Sequence, residues 1–163
     1  MLDRVFPRQF DNRYRGHWLG LALFVLVLVV KSLQGLESIA QTEKTMIGAD
    51  GIPLNTFSPI AAHEAILMFA LLGMYLLVIP LQSVVVLLRY RSMVPFMLLM
   101  LIAIQLGVRG IHLRYPDSTP AAGGGEPIGF YVNVAVLAVT AIAFVLSIVQ
   151  PHSRTTTLRE VRP

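Results

Sequence analysis

The 163-residue chain contains no cysteine. That absence excludes disulfides, thiolate metal sites, iron–sulfur ligation and c-type haem attachment together. Charge is also scarce: 13% of residues are Asp, Glu, Lys or Arg, against about 25% in soluble domains. Lysine is nearly missing, with only Lys31 and Lys44 beside 11 arginines. No nucleophile stands beside a base, so intramembrane hydrolysis is not expected and the reading leans away from an enzyme without deciding it. HExxH spacing is absent, and the GGG of the third connection lacks the lysine and strand context of a nucleotide loop. No internal repeat is visible.

What the chain has instead is 55% hydrophobic residues gathered into four blocks, at about 17–40, 59–88, 93–113 and 127–150. Each is long enough to cross a hydrocarbon core of roughly 30 Å, which takes about 20 helical residues. The expectation is a single membrane domain: an all-α, four-helix up-down bundle. The segment 1–16 reads as basic and aromatic juxtamembrane sequence, and 151–163 as a solvated tail. A net charge of +4 does not indicate nucleic acid, because the cations flank the blocks. Arg4, Arg8, Arg13, Arg15, Arg89, Arg91, Arg154, Arg159 and Arg162 fall on one side, against Lys44 and Arg114 on the other. The positive-inside rule then places both termini in the cytoplasm of a bacterial inner-membrane protein. A cleaved signal peptide is disfavoured, since Lys31 and Glu37 make the stretch before Ala40 long and charged. Arg4, Arg8, Arg13 and Arg15, interleaved with Phe6, Phe10, Tyr14 and Trp18, suit anionic lipid, on an interfacial helix or an irregular lead-in.

The second block carries the most specific pattern. Glu64, Leu71, Tyr75 and Gln82 lie within about 40° of one another on a helix, a polar stripe expected to face protein. Ser58 and Pro59 read as N-cap and first helical residue. Pro80 frees a carbonyl that Ser83 or water would meet. The short connection Arg89–Ser92 makes the second and third spans expected neighbours. Asp50-Gly51, between apolar pairs, signals a turn in the first connection, as a small cap or a loose loop. Gly107 and Gly110 suggest a close backbone approach on the third span. In the fourth, Pro127 is expected as first residue, and Gly129, Asn133, Val136, Thr140, Ala143 and Ser147 form a packing seam of small and weakly polar residues.

At about 1.5 Å per residue, Lys31, Glu64, Arg109 and Asn133 come to similar depths, about 21 to 24 Å from the inner boundary. With Glu37, Gln105 and His112 they form an expected outer polar layer, in which Arg109 would neutralise Glu64. The layer is read either as an ion-pair network that fixes helix pairing or as a ligand pocket. His63, Glu64 and His112 are weak candidates for a metal, and no cofactor is expected. The leading function is an accessory or scaffold subunit packing against a larger membrane protein or against copies of itself. The alternatives are a small transporter or lipid- or quinone-binding protein using the polar layer, and a redox subunit with b-type haem or quinone.

Overall fold

The structure, a computed structural model, describes residues 5–7, 9–115 and 126–149. They are almost wholly helical, with no strand among them. Four helices are long and apolar enough to cross a membrane: α1 (Trp18–Ala40), α3 (Pro59–Arg89), α4 (Val94–Arg114) and α5 (Ile128–Ile148); the short α2 (Thr42–Gly48) follows α1. Their starts are set locally. His17 Nδ1 accepts from the Leu19 N–H, and Ser58 Oγ from the Ala61 N–H, which meets donors that have no partner inside the helix. Pro59 occupies the first turn of α3, where its missing N–H costs nothing. In α5 the proline sits one residue earlier than expected, with Pro127 as the cap.

Packing is decided by small residues. A β-carbon added at Gly73 would lie 2.8 Å from Ser38 Cβ and 3.2 Å from the Gly35 carbonyl; one at Gly35 would lie 2.8 Å from Leu77. The backbones of α1 and α3 therefore cross almost in contact, the geometry that small residues permit in lipid. At the other end of α1, a β-carbon on Gly20 would meet the Ser147 nitrogen at 3.0 Å. Lys31 further along α1 reaches Asn133, so residue numbers rise along α1 as they fall along α5. Phe24, Val27 and Leu28 of α1, Leu98 and Leu101 of α4, and Val136 and Ala143 of α5 make the apolar core. The buried residues of α5 are Val136, Thr140, Ala143 and Ser147.

Two expectations about neighbours are narrowed. Helices α3 and α4 do touch, but only over a short stretch. The turn after α3 is short, a single residue and the 3-10 turn Arg91–Met93, yet α3 packs chiefly on α1 and α4 chiefly on α5. A short connection ties two helix ends; it does not supply the small residues that draw whole helices together. A β-carbon added at Gly107 or Gly110 would meet no neighbouring element among the described residues within 4 Å; the close approach of α1 and α3 falls at Gly35 and Gly73.

The first connection folds down as a cap. The turn is closed by the Ile52 N–H donating to the Met46 carbonyl, Gly51 takes φ 68°, and Met46 and Leu54 are buried. A positive φ is what glycine tolerates without strain. Residues 9–17 of the lead-in are irregular. Asp11 and Ser92 are joined by backbone and side-chain hydrogen bonds of 2.9 to 3.2 Å, and the His17 N–H donates to the Leu146 carbonyl. Residues 11–17 thus strap together the start of α1, the α3–α4 turn and the end of α5. Arg4, Arg8, the glycine-rich stretch of the third connection and the tail lie outside the described residues.

Candidate functional site: the outward face of α3

The polar stripe of α3 does not face the bundle. Gly73, Pro80, Ser83 and Val86 are the buried residues of this helix, while Glu64, Leu71, Tyr75 and Gln82 are all exposed. The stripe lies roughly opposite Gly73 on the helix circumference. It is also longer than the four residues suggest. Glu64, Met68, Leu71, Tyr75, Val78, Gln82, Val85 and Arg89 follow one another at alternating spacings of four and three, and every one is exposed. That spacing is the seam geometry of packed helices. The small residues Gly73 and Ser83 win the inner side because they allow closer contact than Tyr75 or Gln82 would.

Depth separates the polar members. Counted from Arg89, Gln82 lies about 10 Å and Tyr75 about 21 Å along α3, inside a 30 Å hydrocarbon core, whereas Glu64 lies about 37 Å along and beyond it. With 31 residues, α3 overshoots the core, and its first turns leave the level of the other polar groups. Tyr75 is 74% exposed, and neither its hydroxyl nor the Gln82 amide has a partner among the described residues. Ser83 Oγ is buried without a partner, so it does not meet the carbonyl freed by Pro80.

The outer polar layer divides. Lys31 Nζ donates to Gln34 Oε1 and Asn133 Oδ1, both at 2.9 Å. The Arg109 guanidinium lies 3.8 Å from the centre of the Phe130 ring. Gln105 Nε2 donates to the Leu101 carbonyl at 3.2 Å and, weakly, to Thr140 Oγ1 at 3.4 Å. Glu37, Glu64 and His112 are exposed. Phe130 is level with the Gly35 turn of α1, which faces Gly73 and Leu77, so Glu64 stands about 14 to 20 Å beyond the level of Arg109. The expected Glu64–Arg109 pair is thus not formed. The coincidence of depths fails because it places the first residue of α3 at the membrane boundary, whereas that residue sits well above the other helix ends. Nor do His63, Glu64 and His112 come together: no group of three or more His, Asp or Glu among the described residues is placed for a metal ion.

The strap at the opposite end has its own electrostatics. Arg15 forms an ion pair with Asp11 at 3.0 Å. The Arg13 N–H and the Arg15 guanidinium hold the Asp11 carboxyl below the usual carboxylate range. Tyr14 Oη is buried without a hydrogen-bond partner, close to Gly16 and Gly20, and burial pushes its pKa up to about 12. A cavity of about 20 Å³ adjoins it. Sequence reasoning misses this strap. The four-residue spacing of its aromatics suggests a helix, whereas Asp11 and Ser92 carry no local signal of their meeting.

The chain matches no family model, and no curated protein or solved structure is significantly similar to it.

Proposed function

We propose that the chain is a small multi-pass protein of the bacterial inner membrane, an up-down bundle with both ends cytoplasmic. Its role is that of an accessory or scaffold subunit, which packs the outward face of α3 against a helix of another membrane protein. The observation that carries this reading is Gln82, an exposed side-chain amide at hydrocarbon depth with no partner among the described residues. An amide left unpaired in an apolar medium costs about 2 to 7 kcal/mol, depending on the reference state. A facing helix with a donor or acceptor at that level removes the cost and adds a hydrogen bond worth about 0.6 to 2 kcal/mol in membranes. Tyr75, two turns away on the same face, supplies a second such group. The orientation is supported by the nine flanking cations on one side against two on the other.

A photoreactive residue at position 82, irradiated in intact membranes, tests the reading. It should form an adduct with a protein, while the same residue at Ile142, exposed on α5, should label lipid. Lipid adducts at both positions would contradict the proposal.

A further inference from the structure

Two cations reach one turn of α5, and neither forms an ion pair among the described residues. Lys31 arrives from α1 and bonds Asn133; Arg109 arrives from α4 and lies over Phe130. Phe130 and Asn133 are three residues apart, so they share a face with β-carbons about 5 to 6 Å apart. The ion pair of Asp11 with Arg15 lies at the far end of the bundle. Arg109 has no hydrogen-bond acceptor among the described residues. Asp50 lies at the outer end of α5, beside Gly129, about a turn beyond Asn133.

Two cations in an apolar span, neither with an ion-pair partner among the described residues, are unfavourable unless an anion accompanies them. Lys31 and Arg109 are half-buried and Asn133 is exposed, so the turn opens towards lipid rather than into the core. It also lies at a suitable depth. Phe130 is the third residue of α5, which puts both cationic heads within about 8 Å of the start of that helix, where long basic side chains reach the headgroup layer. We propose that Lys31, Arg109 and Asn133 bind a phosphate-bearing anion at the α1–α5–α4 junction. Arg109 presents its fork to two phosphate oxygens while its face stays on Phe130. Lys31 donates its remaining N–H, and the Asn133 amide N–H groups are free to join. The source is a phospholipid headgroup in the adjoining leaflet or free phosphate; the site is separate from the α3 face.

The test is native mass spectrometry of the full chain in detergent, titrated with phosphatidylglycerol or phosphatidylcholine. One phosphatidylglycerol per chain should be retained in preference to phosphatidylcholine. Lys31→Gln and Arg109→Gln should each weaken that retention about tenfold or more, as expected for a lost charged hydrogen bond. Lys31→Arg should keep it, which separates loss of charge from misfolding, and Arg89→Gln at the far end of α3 should not matter. Displacement of the lipid by millimolar inorganic phosphate identifies free phosphate as the ligand; failure to displace it identifies the lipid. Equal retention of the two lipids, or retention indifferent to both glutamine substitutions, overturns the proposal.

Discussion

Gly73→Ala should loosen the bundle although alanine is the better helix former. Within a helix, alanine is favoured over glycine by about 1 kcal/mol. At Gly73 the new methyl would sit 2.8 Å from Ser38 Cβ, 3.1 Å from Ile39 Cγ1 and 3.2 Å from the Gly35 carbonyl oxygen. Carbon atoms pack best at about 3.5 to 4.0 Å, so α1 and α3 must part by up to about 1 Å. Neither Ser38 Cβ nor the Gly35 carbonyl can swing aside, and overpacking of this kind costs about 1 to 3 kcal/mol. The net effect is a loss of up to about 2 kcal/mol. Gly107→Ala meets no neighbouring element among the described residues within 4 Å, so it keeps the helix gain and should be neutral or stabilising. Both variants can be followed by SDS titration from mixed micelles, read by the fluorescence of Trp18, the sole tryptophan. Ser38→Gly removes the nearest clashing atom and should recover part of the Gly73→Ala loss. If Gly73→Ala and Gly107→Ala shift the midpoint equally and in the same direction, the close crossing of α1 and α3 is wrong.

The other expectations follow the same geometry. Ala143 is fully buried and Ala138 exposed, so Ala143→Leu should destabilise by about 1 to 3 kcal/mol in the same titration while Ala138→Leu is tolerated. Tyr14 should ionise near pH 12 rather than 10, seen as the phenolate absorbance missing from Tyr14→Phe. Because the folded pKa is the raised one, its contribution to stability is complete below pH 10 and is lost as pH rises through about 12. Cysteines at Ala49 and Gly124 should react with an impermeant thiol reagent from outside the cell, and cysteines at Ser92 and Thr156 should not; labelling at Ser92 would reverse the orientation.

Apolar block length makes four spanning helices legible in the sequence, because a run of about 20 apolar residues has few other uses. The start of α3 is legible as well, since Ser58-Pro59 is a local signal whose partner, the Ala61 N–H, lies three residues away. What fails are inferences across space. The stripe from Glu64 to Gln82 reads as inward-facing on the premise that polar groups must be met within the chain, but Gly35 and Gly73 compete for the same interface and pack closer. The Glu64–Arg109 pairing assumes that every helix starts at the membrane boundary, which the 31-residue α3 does not. Lys31 finding Asn133 depends on how α1 slides against α5, set by Gly20 against Ser147, and no spacing within either segment encodes that.

The outward face of α3 is tested most directly by its accessibility in the native membrane, and the absence of cysteine makes single-cysteine spin labelling possible at every position. Oxygen accessibility should be low at Leu71, Tyr75, Val78, Gln82 and Val85, where a partner helix covers the seam. It should be high at Ile142 and Val145 of α5, which are about as exposed in the isolated chain. Seam positions as open to oxygen as Ile142 and Val145 would mean that α3 faces lipid and that no partner packs there.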